Sequence, residues 1–263
     1  MFRNIGERSL KIYFYAFLVI IYLPLILLII FSFNDSRRMG FPPQGFTLEW
    51  WQRFLSRPEA VTAIENSFLV ASVTALIATT VGLMAALALV RHFFRGKRLA
   101  TSAVVLPLSL PPIVIAVGAV VLLLAVLDVE LSRLTIILGH VLLALPYTTL
   151  ILMARLIGFD RSLEEAACDL GANEFTTFRK ITMPIIMPGV FVALIMAFII
   201  SLEDVPVAYF LGGYDTTIPV YIFGLLRWGI GLPVATAMSA FMTGIMLVAV
   251  IISVVWTRRA EKT

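Results

Sequence analysis

Residues 162–184 read SLEEAACDLGANEFTTFRKITMP, a polar stretch that separates two long apolar runs. Ser162 and Glu165 have the spacing of a capping box at the start of a helix. Gly171 suits the position just after a helix, and Asn173 is a good cap for the next one. The stretch therefore predicts two short helices joined by a turn at Gly171.

The apolar runs on either side belong to a pattern that extends over the whole chain. Of the 263 residues, 60% are hydrophobic and 14% are charged, whereas about a quarter of the residues of a soluble domain are charged. A membrane-spanning helix needs about 20 mainly apolar residues. Six stretches meet this requirement, namely 12–33, 63–90, 99–126, 134–157, 187–210 and 235–256. The predicted fold is an all-α integral membrane protein, a single domain over 1–263 with six transmembrane helices and a helical hairpin at 158–186.

The basic residues are unevenly distributed between the segments that connect these helices. Most of the 20 Lys and Arg residues lie in segments on the same side as the N-terminus. The positive-inside rule therefore predicts that both termini and the hairpin are cytoplasmic. Because the basic residues flank apolar runs and form no contiguous patch, nucleic acid is not an expected partner. The apolar residues 216–229 are too few to cross a membrane and predict a short helix on the outer face.

Two of the predicted spans carry signals for their packing and shape. Ala78, Gly82 and Ala86 recur every four residues in the second span, which predicts a face that another helix can approach closely. Pro111 and Pro112 lie near the middle of the third span and remove helical hydrogen bonds there. Broken helices at this depth are typical of substrate pathways, although a simple kink is an equally good interpretation.

The spacing within the hairpin carries a resemblance to a known family. Glu165-Ala166-Ala167, Gly171, Ile181 and Met183-Pro184 follow the pattern E-A-A-x3-G-x9-I-x-L-P, with Met in place of Leu. This pattern resembles the EAA loop of the permease subunits of binding-protein-dependent ABC importers. The resemblance covers nearly the whole chain and is nearest to the second permease of spermidine/putrescine-type importers. It is carried by Phe31–Asn34, Gly45–Leu48, Trp50-Trp51, Phe94–Lys97, Glu165–Pro188 and Ser201–Asp204.

The resemblance implies a type I importer permease fold in a bacterial cytoplasmic membrane. In such importers the EAA loop forms coupling helices that dock on an ATP-binding subunit. The implied partners are two ATP-binding subunits, a second homologous permease, an external substrate-binding protein and the lipid bilayer. The residues predicted to contribute to this docking are Glu164, Glu165, Ala166, Ala167, Gly171, Arg179, Ile181 and Pro184.

Glu203 and Asp204 are the only adjacent carboxylates within a predicted span. Ionisable groups at that depth are costly and usually face a cavity or a partner. We therefore predict that they present negative charge to a small cationic solute such as a polyamine. The alternative is that they lie at the outer interface and meet Arg227, Arg133 or a lipid headgroup. The aromatic residues predicted to line the pathway are Tyr147, Tyr209, Phe210 and Trp228.

The sequence contains no pattern for catalysis. It has no phosphate-binding loop of the G-x-x-x-x-G-K-[ST] type, so ATP hydrolysis is expected on another polypeptide. The chain is predicted to be a non-catalytic subunit, and no cofactor is expected. His140 has no second ligand at metal-binding spacing and is predicted to be a hydrogen-bonded packing residue. Three alternatives remain open: an importer for a phosphonate, an amino-acid derivative or iron; an ion-driven secondary carrier; and a membrane-bound enzyme or assembly subunit.

Overall fold

The computed structural model describes residues 2–37, 40–227 and 231–260. The regular structure in these parts of the chain is helical, apart from one isolated β-bridge between Asn34 and Phe46. The helices are α1 (Phe2–Phe31), α2 (Glu49–Leu55), α3 (Pro58–Arg91), α4 (Lys97–Val105), α5 (Pro112–Val120), α6 (Arg133–Ile157), α7 (Ser162–Asp169), α8 (Glu174–Thr177), α9 (Met183–Glu203), α10 (Pro206–Leu211), α11 (Ile218–Arg227) and α12 (Leu232–Ala260).

Five of the described helical segments are long and apolar enough to cross a membrane, and a bent pair makes a sixth. The five lie in α1, α3, α6, the segment Glu174–Glu203 and α12. Large apolar side chains remain exposed along them, for example Ile20, Leu76 and Ile251. An apolar surface of this kind is stable in lipid and not in water. The short helix predicted within 216–229 is present as α11.

The third span is a pair of helices at a sharp angle. The segments Lys97–Ser109 and Pro112–Val126 meet at 104°, so the span predicted over 99–126 is a broken helix at Pro111 and Pro112 and not a simple kink. A residue that precedes a proline is driven out of the helical region towards extended backbone. Leu110 and Pro111 each precede a proline, and both are extended, with ψ of 134° and 135°.

The fifth span also differs from the prediction of one helix over 187–210. Helical structure begins at Glu174, passes through a π-helical segment at Phe178–Thr182, and continues to Glu203. Asp204 is extended, with ψ of 131°, and α10 then begins at Pro206. The helix starts early because the π-helical segment at Phe178–Thr182 leads directly into α9, where Pro184 lies in the first turn and its missing N–H disrupts no helical hydrogen bond. It ends early because Pro206 has no N–H and starts a new helix.

Contacts within the chain divide it into two compact units. The single domain expected over 1–263 stays a prediction. The first comprises 1–61 and 222–244, and the second comprises 62–221 and 245–263. In the first unit, Trp50 and Phe54 of α2 are buried. The Trp50 indole donates to the Asn34 carbonyl at 2.8 Å, and the Phe54 ring lies 5.8 Å from that of Phe241. These two side chains therefore contribute to packing within the unit.

In the second unit, small residues allow close contact between α3 and α6. Ala78 and Ala86 are fully buried. A Cβ atom added to Gly82 would lie 2.3 Å from the Thr148 hydroxyl, which itself donates to the Ala78 carbonyl at 2.9 Å. The predicted small-residue face of the second span is confirmed.

Candidate functional site

The hairpin between the fourth and fifth spans consists of α7, a turn and α8. Gly171 lies just after the last turn of α7 with φ of +84°, a left-handed conformation that glycine adopts readily. The Asn173 side chain accepts a hydrogen bond from the Thr176 N–H at 2.8 Å and so caps α8. The predicted turn and second cap are both confirmed.

The predicted capping box at Ser162 is wrong. Arg161 occupies the cap position of α7, and the carboxylate of Asp160 accepts a hydrogen bond from the Ser162 N–H at 3.0 Å. Aspartate commonly forms this turn with the residue two positions later. The hydrogen bonds from the Ser162 backbone and side chain lower the pKa of Asp160 below its ordinary value.

The residues predicted to dock on an ATPase occupy different environments. Glu165, Ala166, Gly171, Arg179 and Pro184 are exposed, Ile181 is half-buried and Ala167 is buried. Glu164 was predicted to contribute to the docking surface, but its side chain is largely buried. Its carboxylate forms an ion pair with Arg91 at 2.6 Å and accepts a hydrogen bond from Thr182. Adjacent glutamates on α7 therefore point in different directions, one into the chain and one outward.

A cavity of about 430 Å³ lies where the two broken spans meet. Its walls come from the break in the third span, from α6 and from the end of α9. The lining residues are Pro107, Leu108, Leu110, Pro112, Leu143, Tyr147, Ile200, Glu203, Asp204, Val205 and Pro206. The two proline breaks, far apart in the sequence, thus surround a single cavity that contains two carboxylates.

The two carboxylates differ in their surroundings. Glu203 is exposed, and none of the ion pairs in the described part of the chain involves it. Asp204 is buried, and its Oδ1 atom accepts hydrogen bonds from the N–H groups of Val207 at 2.8 Å and Ala208 at 3.1 Å. Asp204 therefore caps α10, while Glu203 is available to the cavity.

A buried histidine also contacts the Asp204 carboxylate. His140 is fully buried; its Nε2 lies 3.2 Å from Asp204 Oδ1 and its Nδ1 lies 2.7 Å from the Ser201 hydroxyl. The prediction of a hydrogen-bonded packing residue is confirmed. Among the described residues, no three His, Cys, Asp or Glu side chains are grouped as a metal site.

The predicted aromatic residues are only partly brought together. Tyr147 lines the cavity, whereas Tyr209 and Phe210 do not. The Tyr209 ring is exposed and meets Phe210 edge-on at 5.5 Å, and Phe210 packs against the core around α10. Trp228 lies outside the described residues. Arg133, an alternative partner of the carboxylates, pairs with Asp215 at 3.4 Å.

The chain thus combines a helical hairpin between two spans with a cavity between broken spans, and both features lie within its match to known proteins. Residues 78–262 match the family described as binding-protein-dependent transport system inner membrane component. The chain belongs to this family. The predicted identification as an importer permease is thereby confirmed, and with it a non-catalytic subunit whose ATPase is a separate polypeptide. This permease is a multi-pass membrane protein whose partners include a substrate-binding protein and an ATPase.

Similar proteins include two named polyamine permeases. This permease is 37% identical over 246 residues to the spermidine/putrescine transport system permease protein PotC of Haemophilus influenzae, with 93% of each chain covered. It is 32% identical to the putrescine transport system permease protein PotI of Escherichia coli, with 92% of this chain and 88% of the relative covered.

Solved structures confirm the type I importer permease fold. A bacterial alginate ABC transporter in complex with a pentasaccharide-bound periplasmic protein has a chain with a TM-score of 0.72 at 20% identity, with 100% and 99% of the two chains covered. A chain of the MetNI methionine ABC transporter in an inward-facing conformation gives a TM-score of 0.66 at 15% identity, with 76% and 95% covered.

Proposed function

We propose that this permease forms half of the translocation pathway for a small cationic solute of the polyamine class, in an ATP-driven importer. The observation that carries the proposal is the exposed Glu203 carboxylate in the cavity between the broken spans. The similarity to polyamine permeases over nearly the whole chain supports it.

The chemistry of the cavity favours a cation over an anion. Glu203 contributes a negative charge that none of the ion pairs among the described residues compensates, and the neighbouring Asp204 adds to the negative potential even though its Oδ1 atom caps α10. Most of the remaining wall is apolar, which strengthens the attraction between a carboxylate and an ammonium group. The Tyr147 ring in the same wall can add a cation–π contact of about 0.5–2 kcal/mol. Tyr209, Phe210 and Trp228 remain candidates for contacts elsewhere along the pathway.

The hairpin supplies the proposed contact with the ATPase. Its exposed surface combines the small residue Ala166 with the charged residues Glu165 and Arg179 around the turn at Gly171. The distribution of basic residues supports a cytoplasmic location for the hairpin and both termini. We propose two ATP-binding subunits and a second, homologous permease as the assembled partners.

Removal of the two carboxylate charges tests the cationic pathway. The double variant Glu203→Gln/Asp204→Asn keeps the approximate size of both side chains, and its assembled complex is expected to lose most ATP-dependent uptake of labelled spermidine into vesicles. The matched control is Asp128→Asn/Glu130→Gln, because both of these carboxylates are exposed and neither lines the cavity. Wild-type uptake by the first variant would overturn the proposal.

A further inference from the structure

An internal charge cluster connects the hairpin to two spans. Arg91 is the last residue of α3, and its Nη2 atom lies 2.6 Å from the Glu164 carboxylate on α7. The same oxygen of Glu164 accepts a hydrogen bond from the Thr182 hydroxyl, in the π-helical segment that leads into α9. One carboxylate on α7 therefore contacts two other elements, α3 and the π-helical segment before α9, and the cluster joins all three.

The cluster is partly shielded from solvent. The side chains of Arg91 and Glu164 are only 23% and 17% exposed, and Thr182 is fully buried. The Arg91 guanidinium also lies 5.6 Å from the centre of the buried Phe159 ring. Because the guanidinium is held between a carboxylate and a ring, its orientation is fixed, and the ion pair is much less screened than a surface pair.

The two arms of the hairpin are attached to the spans in different ways. The α8 arm continues through the π-helical segment into α9, so a displacement of α8 is carried by helical backbone as far as Glu203. The α7 arm is joined to the backbone on either side by short non-helical segments, next to Gly158 and Gly171, and it packs against α8 and the π-helical segment. The ion pair with Arg91 adds a side-chain connection from α7 to α3, and the hydrogen bond from Thr182 adds one to the segment before α9.

We propose that the Arg91–Glu164–Thr182 cluster is a positioning device that makes α7 move as one body with α3 and α9. This proposal rests on the proposed role of the hairpin as the ATPase contact. The three residues touch neither solute nor nucleotide. They act by holding the exposed docking surface of α7, including Glu165, in a fixed position relative to the spans. Without the cluster, the ATPase can displace α7 without moving the pathway, and ATP is hydrolysed without import.

The ratio of solute imported to ATP hydrolysed measures this coupling. The ratio is measured for the full complex in vesicles, with its binding protein. Arg91→Gln and Glu164→Gln are each expected to lower it by roughly threefold to tenfold, which is the size of effect that the loss of one interaction within a connected network produces. Thr182→Val removes one hydroxyl at constant shape and is expected to have a smaller effect. Arg95→Gln, which removes an exposed charge from the neighbouring loop, is expected to leave the ratio unchanged.

Reversal of the pair separates a specific interaction from general damage. The double variant Arg91→Glu/Glu164→Arg is expected to recover the ratio to within about twofold of the wild type. A wild-type ratio in both single variants, or no recovery in an assembled reversed pair, would overturn the proposal. Gly171→Asp is measured in parallel, since normal assembly and transport by that variant would instead remove the hairpin from the ATPase contact.

Discussion

Replacement of Asp204 by Ala should destabilise this permease by removing the cap of α10. Two backbone N–H groups, those of Val207 and Ala208, donate to the Asp204 carboxylate, and the fully buried His140 contacts the same oxygen. Alanine offers no acceptor to any of them. Because the site is within the membrane-spanning part of the chain, water cannot replace every lost hydrogen bond.

The size of the effect follows from the number of partners lost. Loss of an aspartate cap costs about 0.5–2 kcal/mol, and a buried donor left without an acceptor, here His140, costs about 1–3 kcal/mol. Relief of the buried charge offsets part of this cost. The expected decrease in the free energy of unfolding is therefore about 2–4 kcal/mol, which corresponds to roughly 5–15 °C in melting temperature.

Thermal unfolding of the purified chain in detergent provides the assay. Asp204→Asn is the control, since asparagine caps helices about as well as aspartate and keeps an acceptor oxygen. Its melting temperature should lie clearly above that of Asp204→Ala. Equal melting temperatures for the wild type and Asp204→Ala would refute the assignment of Asp204 as a structural cap.

Two further predictions concern packing and pH. Gly82→Ala should destabilise the chain by about 1–3 kcal/mol, because the added Cβ would displace the Thr148 hydroxyl. Gly118→Ala is the control: nothing lies within 4 Å of the added Cβ, and the substitution should stabilise the helix by roughly 0.5–1 kcal/mol. Equal melting temperatures for the two variants would contradict the close contact of α3 and α6. The Asp160 carboxylate, whose pKa is lowered by its hydrogen bonds from Ser162, should stabilise the start of α7 at neutral pH and lose this effect only as the pH falls below about 4. Hydrogen-exchange protection of the first turn of α7, corrected for intrinsic rates, should therefore stay constant from pH 7 to about pH 5, and an earlier loss would show that Asp160 does not act there.

Features that depend on neighbouring residues were predictable from the sequence. The turn at Gly171 and the cap at Asn173 use chemistry within three residues, and the small face around Gly82 follows from helical periodicity alone. The capping box at Ser162 was wrong because Asp160 offers a competing acceptor two residues earlier. Local patterns of this kind do not decide between two polar side chains that can accept the same hydrogen bond.

Features that join distant residues were not predictable in the same way. His140 and Asp204 are 64 positions apart, and no periodic pattern connects them. In the sequence, Arg91 indicated only the orientation of the chain in the membrane, as a basic residue at the end of a span. Its ion pair with Glu164 is visible only in the packed structure. The Pro111-Pro112 break was recognised, but its meeting with the break at Asp204 in one cavity requires the packed structure.

Uptake into vesicles that contain the full complex shows whether this permease passes a small cation in an ATP-driven importer. The measurement compares labelled spermidine with a labelled phosphonate, each with and without internal ATP and the external binding protein. Spermidine should accumulate only when both ATP and the binding protein are present, and the phosphonate should not accumulate. Accumulation of the phosphonate, or spermidine uptake that is indifferent to ATP, would contradict the claim.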